Sequence, residues 1–258
     1  MMVDILDEVK KEYVKDLMSK GKRPSGRALD ELRKATIERN VIPNAEGSAK
    51  VLLGNTQVLV GVKLGIGTPF PDRPEEGVLS TSAELLPLAS PVFEMGPPSA
   101  ESIEVARVVD RGIRSSNLLD LKALFIEPGK AWNVFVDVYV LDHDGNLIDA
   151  SALAAMAALQ CTRMPKYEDG KILYGNYVGK LATATSCVTS TFAKIGGVIV
   201  ADPDLDEEKA MDARLTVATT PKHVCAMQKG GSGGFTRDEL LGIIDMAFKK
   251  GEELRALL

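Results

Sequence analysis

The sequence predicts an α+β fold: mixed, hairpin-rich sheets with packed helices and an N-terminal helical extension. Two observations carry this. Short apolar stretches alternate every second residue and are joined by glycine-bearing turns, the pattern of antiparallel hairpins. Strands come in groups crossed by helices, where a doubly wound parallel sheet would alternate strand and helix strictly.

The elements follow in order. Asp4 to Lys20 places Ile5, Leu6, Val9, Tyr13 and Leu17 at helical spacing, with Gly21 as a stop. A polar linker, Lys22 to Asp30, contains Arg23-Pro24-Ser25-Gly26-Arg27. Ala49, Val51 and Leu53, then Val58, Val60 and Val62, alternate on either side of Gly54-Asn55 and predict a hairpin. Gly65 to Gly77 is rich in proline and glycine and reads as an exposed loop, and Val78 to Leu88 as a strand. Ser99 is a good N-cap for a helix to about Ser116, with Glu101 and Glu104 near its positive end. Strands flank Glu127-Pro128-Gly129-Lys130 and the Asp144-Gly145-Asn146 turn, and an alanine-rich helix is expected from about Asp149 to Cys161. The polar, tyrosine-bearing stretch Lys166 to Lys180 is the best boundary. It suggests a helix and linker over 1–30, a first region over 31–165 and a C-terminal region over 166–258. Beyond it come alternating segments from Leu181 to Val200, an acidic turn at Asp202 to Glu208 and a strand from Ala213 to Thr219. Thr236 and Glu239 have capping-box spacing for a last helix to about Leu257.

Composition excludes several classes. With 258 residues, 45% hydrophobic and 26% charged, the chain can bury a core and is neither collagen-like nor disordered. Its formal net charge of −5 would repel a polyanion on average, so any nucleic-acid contact needs a local basic patch. Cys161, Cys187 and Cys225 have neither disulfide-framework nor zinc spacing. No stretch has the length of a membrane span, and acids near the start argue against a signal peptide. A soluble, cytoplasmic protein with no membrane partner is the expectation.

The helix from Ser99 to Ser116 is the most informative segment. At about 100° per residue, Val105, Val108, Val109, Gly112 and Ile113 share one side, and Arg107, Arg111 and Arg114 share an arc opposite. Three guanidinium groups on a rigid element suit phosphate recognition. A solvated face paired with Glu104 and Asp110 explains the same pattern, and Glu104 is placed to occupy Arg107. Asp206 and Asp212 could act as an acid/base or magnesium pair, or the acidic cluster around them could serve a helix N-terminus. The glycines from Gly230 to Gly234 match neither phosphate-loop pattern and read as a turn. His143 and His223 lack metal spacing, so neither a metal site nor a cofactor is expected.

Taken together, several stretches resemble the ribonuclease PH family. They are Arg23 to Arg27, the hairpin Gly47 to Val62, Arg107 to Arg114, Asp144 to Ala150 and Met211 to Thr216. The N-terminal helix and Asp202 to Thr216 look most like the family's non-catalytic branch in the archaeal exosome. The resemblance implies a ribonuclease PH-like fold. It also implies a hexameric ring of three heterodimers with a catalytic ribonuclease PH-like paralogue, capped by S1/KH-domain proteins and acting on single-stranded RNA. Active members use inorganic phosphate to cleave RNA from its 3′ end. They carry Asp-Gly-Gly-Thr/Ser-Arg after a strand, where hydroxyl and arginine hold that phosphate. The matching run here is read as Asp149-Ala150-Ser151-Ala152-Leu153, without that hydroxyl and arginine at Ala152 and Leu153. Asp206 and Asp212 keep the six-residue spacing of the family's late aspartates. The resulting expectation is a non-catalytic subunit with no catalytic residues of its own, contacting RNA through Arg107, Arg111 and Arg114. The alternatives are an autonomous phosphate-dependent exoribonuclease using Asp206 and Asp212, and a purely structural ring subunit.

Overall fold

A computed structural model describes residues 5–258, with side chains from Glu8 onward. The first sheet is built from β1 (Ala35–Arg39), β2 (Gly47–Leu53), β3 (Thr56–Gly67), β4 (Val78–Leu85), β5 (Phe125–Glu127) and β6 (Lys130–Asp142). Its strand order is β1-β2-β3-β6-β4, with β5 paired to β6. All pairs are antiparallel except β4 with β6. The β2–β3 hairpin closes through Gly54-Asn55, with Leu53 opposite Thr56 and Gly54 at φ +59°, a conformation glycine adopts without steric cost. Val58, Val60, Val62 and Leu64 on β3 and Val134, Val136, Val138 and Val140 on β6 point into one core.

Helix α2 (Ala100–Ser115) packs on β4 with Val105, Val108, Val109, Gly112 and Ile113 buried as the periodicity predicts. Its N-cap is Ser99, whose hydroxyl accepts from the Ser102 amide. Helix α3 (Leu147–Gln160) is buried from Leu147 through Leu159, and its alanines let it pass closely between the two sheets. A Cβ on Gly47 of β2 would overlap the Ala158 carbonyl and the Thr162 hydroxyl, so that approach requires glycine. Helix α3 starts two residues earlier than its apolar run suggests, because Asn146 with φ +54° turns the chain into it directly after β6. The stretch read as a boundary forms part of a ribbon of β7 (Arg163–Glu168) and β8 (Lys171–Lys180).

The second sheet has the order β10-β9-β11-β12, from β9 (Val188–Ile195), β10 (Val198–Ala201), β11 (Ala213–Thr219) and β12 (Val224–Gly231). Helix α5 (Arg237–Arg255) packs on β9 and β11, and its Thr236–Glu239 capping box forms as expected. Helix α4 (Leu205–Ala210) carries a second box, Asp204 with Glu207. Helix α1 (Ile5–Ser19) lies on α4, and Asp4 of the expected helix lies outside the described residues. Of the expected stripe, the side chains of Ile5 and Leu6 lie outside those described, and the described remainder is not the buried face. Val14 and Met18 pack on Ala193, Ile195, Val200 and Ala210, while Val9 and Tyr13 are exposed at 62% and 58%. The core therefore takes the neighbouring arc of the helix. Nothing in the described structure covers the arc that carries Val9 and Tyr13.

The linker after α1 is a clamp. Arg23, buried completely, binds Glu207 bidentately at 2.8 and 2.6 Å and donates to the Ala201 carbonyl at 2.9 Å. Arg27 and Arg33 reach Asp202 at 3.1 and 2.7 Å, and Arg33 also donates to the Asp144 carbonyl at 2.6 Å. This one network ties the linker, the start of α3 and the second sheet together.

Candidate functional site

Two regions concern the expected chemistry. The first is the outer face of α2. Arg107, Arg111 and Arg114 are all exposed, and with Ser80, Thr81 and Asp110 they line a groove of about 490 Å³ between α2 and β4. Their local partners differ from the expected ones. Glu104 does not take Arg107, because Arg214 on β11 lies closer and binds it at 2.6 Å. Arg114 is the engaged member of the stripe: its Nε donates to Asp110 at 2.6 Å and its Nη2 to the Leu79 carbonyl at 2.5 Å. Among the described residues Arg107 and Arg111 have no ion pair, so these two are open to an anion.

The second region is the start of α3. Asp149-Ala150-Ser151-Ala152-Leu153 does not follow a strand; it is helix interior, every member buried. The run that does follow β6 is Asp144-Gly145-Asn146-Leu147-Ile148, and the position of the sequence match is corrected accordingly. Leu147 and Ile148 then stand where the hydroxyl and guanidinium would be, 4% and 3% exposed. Neither can bind an anion.

A carboxyl group of the chain itself meets the first amide there. Glu208 Oε1 accepts from the Asn146 N–H at 2.9 Å. Burial pushes the Glu208 carboxyl up to about 7, against the pull of that N–H, Arg214 and Arg33. The Asn146 side chain donates to Asp149 at 2.8 Å and to Asp202 at 2.7 Å. Asp149, raised by burial, also accepts from the amide and hydroxyl of Thr191 at 2.7 and 2.8 Å. Burial alone would raise Asp202 too, but its bonds to Arg33 outweigh that and hold it below its ordinary value. Each acid is used in holding the fold.

Asp206 and Asp212 face α1. Lys10 lies 3.4 Å from Asp206 and Lys15 lies 3.8 Å from Asp212, whose other oxygen accepts from the Gly196 amide at 2.8 Å. Two sequence positions mattered more than their local context revealed. Glu208 reads as one of many acids at a short helix, and Arg33 as a linker charge. Their partners are 62 and 169 residues away, so no local pattern marks them.

Comparison with known proteins supplies the family. Residues 31–165 match the model of the 3′ exoribonuclease family, domain 1, and residues 186–250 that of domain 2. The chain belongs to the 3′ exoribonuclease family. It is 49% identical to the exosome complex component Rrp42 of Thermococcus gammatolerans, across 99% of this chain and 96% of that one. It is 52% identical to Rrp42 of Methanosarcina acetivorans, again across 99% and 96%. A chain of the Archaeoglobus fulgidus exosome with RNA bound to the active site superposes with a TM-score of 0.92 at 46% identity, covering 98% of this chain and 99% of that one. Rice Rrp46, at 18% identity with a TM-score of 0.70 over 91% of this chain and 97% of that one, supports the ribonuclease PH-like fold alone. Among the described residues no helix is long and apolar enough to cross a membrane.

Proposed function

We propose that this chain is a non-catalytic, RNA-contacting subunit of an archaeal exosome, paired with a catalytic ribonuclease PH-like paralogue whose active site its arginines help complete. The observation that carries the reading is the start of α3. Phosphorolysis brings together two anions, phosphate and a phosphodiester, so the site needs cationic and hydrogen-bonding groups aimed at both. Here Leu147 and Ile148 are apolar and buried, and the adjacent amide donates to Glu208.

The arginine stripe supplies the remaining function. Arg107 and Arg111 are exposed on a rigid helix, one turn apart, and Arg114 is fixed beside them by Asp110 and Leu79. That arrangement suits consecutive phosphates of a single strand delivered to a neighbouring subunit. The family resemblance adds the wider assembly: three such heterodimers in a ring, capped by S1/KH-domain proteins, in the cytoplasm.

The test is the salt dependence of RNA binding by the paired complex. Each neutralised phosphate contributes a slope of roughly −0.7 for single strands, so Arg107→Ala with Arg111→Ala should flatten it by about 1.4. The same change should weaken turnover by the partner. An unchanged slope with assembly intact would reassign the stripe to protein contacts.

A further inference from the structure

The groove along α2 does not end at Arg114. Leu79 and Arg114 also line a second groove, of about 370 Å³, which runs between the C-terminal end of α2, the loop after β3 and the 3₁₀ turn Lys122–Leu124. Arg114 is the shared wall, so the two grooves form one trough. Its far end holds two further cations, Arg73 and Lys122. Both are exposed. Arg73 has only loose carboxylate neighbours, at 3.9 Å from Asp72 and 3.8 Å from Glu76. The acid nearest Lys122 in sequence, Asp120, has a carboxylate oxygen at 3.0 Å from the Lys122 amide and 3.4 Å from the Ala123 amide.

An aromatic residue, outside the lining of either groove, precedes Arg73 in the same loop. Phe70 and Arg73 are the two corners of a turn closed by the Arg73 amide on the Phe70 carbonyl at 2.9 Å. Phe70 is 55% exposed, so its ring is open to a ligand. Pro69, Pro71 and Pro74 stiffen the loop, so little chain entropy is lost when a ligand settles on it. Cations spaced along a trough, with an exposed ring in the turn that carries one of them, are the combination that holds single-stranded nucleic acid without reading its sequence.

We infer that Phe70, Arg73 and Lys122 form a second RNA subsite, continuous with the α2 stripe, in which Arg73 and Lys122 hold phosphates and Phe70 stacks on a base. The inference rests on the RNA-contacting role proposed above and extends the RNA path past Arg114. A protein partner is the competing occupant, because Leu79, Ile113, Leu119 and Leu121 also line the second groove; the three cations Arg73, Arg114 and Lys122, against the two acids Glu76 and Asp120, favour a polyanion.

The experiment measures the affinity of a labelled oligoadenylate for the full chain in complex with its paralogue, across a range of salt. Three variants are compared with the parent: Arg73→Ala with Lys122→Ala, Phe70→Ala, and Arg107→Ala with Arg111→Ala. The first should flatten the slope by about 1.4. Phe70→Ala should weaken binding roughly tenfold with the slope unchanged, since stacking carries no counterions. If the stripe variant flattens the slope while Arg73, Lys122 and Phe70 prove silent, the subsite is overturned and the stripe's role stands. If none of the three changes binding, both readings fail. Loss of assembly in the Arg73 and Lys122 variant would overturn the subsite in favour of a protein contact.

Discussion

Glu208 titrates where a surface glutamate would not. Its carboxyl is raised from 4.5 to about 7 by burial, with Arg214 and Arg33 lowering it and Glu101 raising it. Between those values the native state binds the proton more tightly than the unfolded chain, so stability falls as pH rises from 4.5 to 7. Glu208→Gln keeps an oxygen for the Asn146 amide and removes the titration. Its stability curve, measured by denaturant unfolding, should be flatter than the parent's across that window, and parallel curves would refute the assignment. Arg23 tests the clamp. It and Glu207 are both fully buried, so Arg23→Ala strands a carboxylate and should cost about 3–5 kcal/mol. Arg23→Lys keeps the charge but not the two-point geometry and should fall between the two. A loss below about 1 kcal/mol would mean that water replaces the guanidinium. At this scale the sequence was least legible. It offers Arg23 to Arg27 as a turn linker, and nothing local says that Arg23 will be the most deeply buried cation of the clamp.

Elements were more legible where a pattern was complete within one segment. The hairpin at Gly54-Asn55, the valine face of α2, its Ser99 cap and the capping box of α5 each depend on residues within a few positions of each other. Helix α1 shows the limit. Its existence follows from spacing, but two arcs are apolar, and the choice between them belongs to the second sheet. The structure seats Val14 and Met18 on that sheet. Met18→Ala should then cost about 2–5 kcal/mol, whereas Val9→Ser should stay within roughly 0.5 kcal/mol. Thermal unfolding of the two variants separates the faces, and equal losses would restore the expected stripe. The start of α3 shows the same limit. Asn146 in a left-handed conformation is not written into an alanine-rich run, so the sequence reading sets the match five residues after the run that follows β6. The loss of its hydroxyl and guanidinium survives the correction, because Leu147 and Ile148 lack them as Ala152 and Leu153 do.

For the whole molecule, one buried network fixes the linker against the start of α3 and the second sheet, while the α2 trough faces outward. The division suits a subunit whose interior acids maintain the fold and whose surface arginines act on what passes outside. Sequence-wide resemblance made that architecture legible. Local chemistry left an enzyme and a scaffold as competitors. Lys10 and Lys15 of α1 face the late aspartates, and Leu147 and Ile148 at the start of α3 are apolar and buried. The decisive measurement is phosphate-dependent release of nucleoside diphosphates from labelled single-stranded RNA, by the purified chain alone and after mixing with its ribonuclease PH-like paralogue. No release should occur from the chain alone at any phosphate concentration, and release should appear with the pair. Release by the isolated chain that rises with phosphate would contradict the account.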